Sequence, residues 1–122
     1  MKTLVIVVIV ILCFNVYSLF ITTVPDAVKM EFEQKFPDGK NVSWALHPDK
    51  EYEADFSVHG MDTEAYFTVD GKWIETKTDI DQLQLPGKVS ETIFKDQPHC
   101  VIEGVKKIEE PQNVIFYKTF NP

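Results

Sequence analysis

Carboxylates recur at every second position in Glu51, Glu53 and Asp55, and Glu64, Tyr66, Thr68, Trp73 and Glu75 follow in the same stretch of chain. Two kinds of chemistry fit such residues. Carboxylates meeting at one point could hold a divalent cation or a basic side chain, whereas tyrosine and tryptophan are frequent anchors of protein interfaces. Calcium wants about six to eight oxygens, usually from a compact loop. Carboxylates alternating along a strand diverge, and Asp79-Ile80-Asp81 lacks the rest of an EF-hand, so a solvated acidic face without metal or cofactor is expected. His99-Cys100 is the one nucleophile-and-base pair, but neighbours along an extended strand point to opposite faces, which works against a dyad. His47 and His59 fall in turn segments without a zinc-ligand spacing. With no glycine-rich phosphate loop, nucleophile elbow or paired-carboxylate arrangement, the residues point to a noncatalytic protein.

Strands must position these side chains. Val42, Trp44 and Leu46 alternate with polar or small residues, and Tyr52, Ala54, Phe56 and Val58 alternate with Glu51, Glu53, Asp55 and Ser57. Period two with one apolar side predicts half-buried antiparallel strands. Asp70-Gly71 and Gly60-Met61 suit two-residue hairpin loops. The first sets Thr68 against Trp73, Phe67 against Ile74 and Tyr66 against Glu75. The second sets Phe56 against Ala65, Ala54 against Phe67 and Tyr52 against Val69. One face then collects Tyr52, Ala54, Phe56, Ala65, Phe67, Val69 and Ile74 as core. The other presents Glu53, Asp55, Glu64, Tyr66, Thr68, Trp73 and Glu75, with Glu64 in reach of Lys77. A slip of one residue would scatter the apolar set over both faces. At the first hairpin, setting Leu46 against Tyr52 requires an odd-length or bulged loop at Pro48.

Helical spacing brackets these strands. Val24, Val28, Phe32 and Phe36 step by four between Pro25 and Pro37, and Leu85, Val89 and Ile93 step by four between Pro86 and Pro98. Proline suits a first helical turn, and the residue before proline avoids helical angles, so both segments start and stop cleanly. An offset of 61 residues superposes the two proline frames and the apolar stripes. The chain therefore reads as two helix-plus-hairpin units, about 24–77 and 85–120, linked by a polar segment from Thr76 to Gln84. The second unit lacks the last hairpin, and its strands are expected at Val101–Ile108 and Val114–Phe120. The expected class is α+β, an antiparallel sheet with helices on one face in the order α-β-β-β-β-α-β-β.

The 122 residues carry 19 acidic and 12 basic side chains, a formal charge of −7, and every basic residue is lysine. An acidic chain without arginine argues against nucleic acid as a partner. Lys2, the apolar run LVIVVIVILCF from Leu4 to Phe14 and the site after Ser18 have the layout of a secretory signal peptide. Residues 1–18 are expected to be removed, leaving 19–122 as one domain, periplasmic or secreted. The alternative is retention of residues 4–21 as an anchor, the only route to a membrane. Cleavage would remove Cys13 and leave Cys100 alone, so no internal disulfide would form.

Val24-Pro25 with Phe36-Pro37, Val42-Ser43-Trp44, Tyr52-Glu53-Ala54-Asp55-Phe56, Ala65-Tyr66-Phe67, Asp70-Gly71-Lys72-Trp73 and the second opening Leu85-Pro86 form an ordered series of landmarks. In order and spacing this series resembles the PepSY-like, β-lactamase-inhibitor-like domain of small exported bacterial proteins. The likeness spans nearly all of residues 19–122. The second unit departs from the pattern, with Gly104 and Val105 near where a tryptophan stands in the first. The resemblance implies an extracytoplasmic, noncatalytic domain that binds or inhibits other proteins, and it carries over no catalytic residue. A protein partner is thus expected at the exposed sheet face or in the cleft between the two units. The alternative is an envelope protein that binds peptides or small ligands, or serves structurally, without inhibiting anything.

Overall fold

The computed structural model describes residues 23–120. The expected signal segment, its cleavage site and the alternative anchor lie outside the described residues. Among the described residues no helix is long and apolar enough to cross a membrane.

Helix α1 (Asp26–Lys35) starts behind Pro25 with an acid in its first turn and a base in its last, complementing the helix dipole. Phe36 N–H closes on Phe32 O at 2.8 Å before Pro37 ends the helix. Strands β1 (Lys40–Leu46), β2 (Tyr52–Val58), β3 (Met61–Phe67) and β4 (Trp73–Ile80) follow. A 3-10 turn at Gln82–Gln84 leads to helix α2 (Gly87–Asp96), then to β5 (Gly104–Glu110) and β6 (Val114–Phe120). The six strands pair antiparallel in sequential order. The fold is α+β with the element order read from the sequence, and α2 repeats α1 at the anticipated offset behind Pro86.

The core forms where the apolar stripe of α1 meets β2 and β3. Val28, Phe32, Ala54, Phe56, Ala65 and Phe67 are buried together, with Trp44, Tyr52 and Trp73 packed around them. The Phe32 ring meets Phe56 and Trp44 edge-on at centroid distances of 4.9 and 5.4 Å. The alanines at 54 and 65 face each other across the ladder and leave room for these rings. Burying each large apolar side chain stabilises the fold by about 1.5–3 kcal/mol.

Two of the three turns differ from expectation. The β2–β3 turn is His59-Gly60, both with positive φ (51° and 78°), so Val58 opposes Met61 and Ala54 opposes Ala65. The register differs by two residues from the Gly60-Met61 expectation and the faces survive, because side chains alternate with period two. The β3–β4 loop holds three residues, Val69-Asp70-Gly71, with Thr68 N–H bonded to Lys72 O and Gly71 N–H to Thr68 O. Phe67 consequently opposes Trp73, and a bulge at Ile74 then restores the expected pairing of Tyr66 with Glu75. Two one-residue irregularities cancel. Between them they turn Trp73 onto the core side and leave Val69, expected in the core, 55% exposed. The Pro48 loop is odd-length as the Leu46–Tyr52 pairing required, with Lys50 in the left-handed region at φ 71°.

The link read as a polar segment from Thr76 to Gln84 is largely β4, which runs to Ile80. Its polarity is that of a strand with Thr76 and Thr78 inward and Lys77 and Asp79 outward. Strand β5 begins at Gly104 rather than Val101, and Val101 is exposed.

Candidate functional site

The face of the sheet away from the core is centred on Tyr66. Strand β2 places Glu53 directly beside it and β4 places Glu75 on its other side. One step along, Asp55, Glu64 and Lys77 form the next cross-strand row. The Tyr66 hydroxyl lies 2.5 Å from Glu53 Oε1 and 3.0 Å from Glu64 Oε2. A phenol has one proton to donate, so it cannot donate to both carboxylates at once. Burial and these two acceptors push the Tyr66 pKa far above its usual value, which keeps it a donor at any physiological pH.

Oxygens of Glu53, Asp55 and Glu64 come within 4.8 Å of one another. The expectation that strand carboxylates diverge fails for these three, because Glu53 and Asp55 share a face while the ladder sets Glu64 opposite Asp55. Partial burial, then the charges of Glu53 and Glu64, hold the Asp55 pKa above the ordinary carboxylate value. The cluster brings together one oxygen from each of three carboxylates, against the about six to eight oxygens that calcium takes.

Two cations edge the patch. Lys106 Nζ reaches across from β5 to Asp79 (3.1 Å) and Glu64 (3.3 Å). Burial acts to lower its pKa, but the bonds to Asp79 and Glu64 prevail and raise it. Lys77 opposes Glu64 in the ladder as anticipated, yet its ammonium pairs with Glu75 (3.5 Å) and lies 5.0 Å from the Tyr66 ring centroid. His47 Nε2 approaches Glu53 Oε2 to 3.6 Å. Beside Asp55 the face sinks into a shallow polar depression lined by Ser43, Ser57, Asp62, Glu64 and Asp79. The arrangement can accept a cationic group and hydrogen-bond donors.

The fold therefore gathers Glu53, Asp55, Glu64, Tyr66 and Glu75 and excludes two expected members. Trp73 is half-buried on the core side, with its indole N–H donating to the buried Thr76 hydroxyl (2.8 Å) and Lys35 of α1 capping its ring at 3.5 Å. The Thr68 hydroxyl is used in its own turn, donating to Asp70 Oδ1 (2.7 Å) and accepting from Lys72 N–H (3.1 Å). His47 and Lys106 were missed. Finding Lys106 needs the β4–β5 register, which joins the two units across an intervening helix, and no tight turn in the sequence announces it. Among the described residues no hydrogen bond joins His99 to Cys100, and Cys100 is half-buried in the turn after α2.

Asp55 gives a test of the electrostatics. A carboxylate whose folded pKa is raised favours folding in its protonated form, so its contribution is present at low pH and lost as pH rises through the folded pKa. At pH 7 Asp55 is thus destabilising. Asp55→Asn is expected to raise stability there by about 0.2–1 kcal/mol, the scale of a cross-strand pair. The gain should shrink as the pH falls below the folded pKa towards 3.8, read from urea melts across that range.

The fold and this open, acidic sheet face define a class: a two-helix, six-stranded α+β domain. The family described as "Putative beta-lactamase-inhibitor-like, PepSY-like" matches residues 15–58 and 50–119, and the chain belongs to that family. No curated protein matches it. A DUF2874 family protein from Bacteroides ovatus is 24% identical, with 82% of this chain and 72% of that one superposed at a TM-score of 0.75. A BLIP-like protein from Bacteroides fragilis is 18% identical over the same shares, also at 0.75. A structure described as a putative periplasmic protein from Bacteroides eggerthii is 22% identical, covering 82% and 73%, at 0.74. At these identities the likeness is one of fold.

Proposed function

We propose that this chain is a small exported, noncatalytic protein-binding module whose open sheet face receives a basic side chain of its partner. The observation that carries this reading is the convergence of Glu53, Asp55 and Glu64 around the Tyr66 hydroxyl. Holding like charges together costs folding free energy, and a cationic partner would offset that cost on binding. Tyr66 adds a large, half-buried ring of the kind that anchors interfaces. Export is supported by the leader-like N-terminus and by the Bacteroides eggerthii neighbour described as a putative periplasmic protein. The family description further suggests that the partner is an enzyme of β-lactamase type and that binding inhibits it, with peptidases as the other enzyme class to test.

The test is capture from periplasmic extract with the exported protein against the triple variant Glu53→Gln, Asp55→Asn, Glu64→Gln. These substitutions conserve volume and remove repulsion, at the loss of the Lys106–Glu64 ion pair, and a melting curve checks that the variant is folded. Capture is expected to weaken roughly tenfold or more, the equivalent of about 1.4 kcal/mol, and to fall with added salt. Equal capture by both proteins refutes the reading. Captured enzymes are then assayed for loss of β-lactamase or peptidase activity. Binding without inhibition would favour the non-inhibitory envelope protein instead.

A second reading rests on the opposite face. A groove between the two units is lined by Phe36, Met61, Thr63, Thr76 and Tyr117, with Lys107 and Glu109 at one side. Its mixture of rings and hydroxyls suits a peptide or small ligand.

A further inference from the structure

The two edges of the sheet are built differently. Strand β1 carries Lys40, a register break between Lys40 and Ser43, and Asn41 at φ 56°, the kind of irregularity that blunts an edge. Strand β6 has no such device. It pairs with β5 at all seven positions without a break, and its one charged residue is Lys118. Apolar side chains stand out on both of its faces, with Val114 44%, Ile115 51%, Phe116 43% and Phe120 38% exposed. An edge strand that is apolar on both sides has the composition of an interior strand. The repeat says what is missing. In the second unit β6 holds the place of β2, and in the first unit the far edge of β2 is paired along its whole length by β3. Among the described residues nothing occupies the corresponding edge of β6.

We infer that β6 pairs with β6 of a second copy of this chain, antiparallel about Phe116, joining two six-stranded sheets into one. Charge selects this occupant. The Lys118 half of β6 is flanked on β5 by Lys106 and Lys107, and the Val114 half by Glu109 and Glu110. A two-fold pairing about Phe116 sets Lys118 and Tyr117 opposite Val114 and Ile115 of the second copy, whose Glu110 and Glu109 stand next on β5, so the basic half of one edge meets the acidic half of the other. The chain carries a charge of −7, so two copies repel over most of their surfaces, and this nearly neutral strand is where they can approach. The contact is self-complementary, as a two-fold interface must be. It lies outside the acidic patch and does not depend on the function proposed for that patch.

The test uses the product exported from the intact gene, its N-terminus fixed by mass spectrometry, in sedimentation velocity over a wide concentration range. A reversible dimer is expected. Ile115→Lys and Phe116→Lys place charges on half-exposed edge positions, so each should keep the circular dichroism and melting curve of the dilute protein. Each should also raise the concentration at half-dimer roughly tenfold or more. Val69→Lys, equally exposed but on the β3–β4 loop, should leave it unchanged. Hydrogen exchange in β6 should slow as concentration rises. A monomer throughout the range overturns the inference, including one whose β6 amides are protected by its own N-terminal segment. So does a dimer indifferent to both β6 variants.

Discussion

Phe67→Ala is expected to lower stability by about 3–5 kcal/mol, the range for removing a buried phenylalanine ring from a packed core. Phe67 is fully buried, lies between the Phe32 and Trp44 rings, and closes the β3 side of the cluster. A domain of this size has about 5–15 kcal/mol to lose, so the variant should melt tens of degrees lower. Val69→Ala, two residues on, should change stability by less than about 0.5 kcal/mol, because Val69 is mostly in water. Urea melts of the two variants side by side decide the matter. By alternation alone the two residues belong to one face and both truncations would be costly. A large effect at 69 would mean that the three-residue loop is wrong and that Trp73 faces solvent after all, and a small one at 67 would remove Phe67 from the core.

The second large effect concerns the contact between that loop and α1. Gly71 has φ +88°, and a Cβ there would lie 2.7 Å from the Ala27 carbonyl oxygen. Gly71→Ala therefore combines a left-handed backbone penalty of about 1–2 kcal/mol with a steric clash of about 1–3 kcal/mol against the helix's first turn. Gly60 is the internal control. Its φ is +78°, but nothing lies within 4 Å of the Cβ position, so Gly60→Ala should show the backbone penalty alone. The difference between the two melts measures how tightly the hairpin tip seats under α1. Equal losses would place the helix elsewhere.

Much of the architecture could be read from local pattern. The proline frames, the step-four stripes and the alternation in β2 and β3 each require only short-range information, and α1, α2, β2, β3 and the order of elements along the chain follow. The acidic half of the site was legible on the same basis. Glu53, Asp55, Glu64, Tyr66 and Glu75 share a face because alternation survives the two-residue error at the His59-Gly60 turn. Trp73 and Val69 were not legible. A loop of two residues and a loop of three with a compensating bulge leave almost the same apolar pattern. What separates them is whether the indole finds Thr76 and Lys35 on the core side, a question of packing.

The amino-acid sequence by itself determined the elements, the repeat, the charge and the face on which carboxylates and Tyr66 stand, since each depends on neighbours a few residues away. Only the tertiary structure decided which carboxylates converge, that Lys106 crosses from the second unit to meet them, and that β6 is left with an apolar edge. Distances of a few ångströms between residues far apart in the chain depend on register and twist summed over the whole sheet, and no local pattern carries that sum.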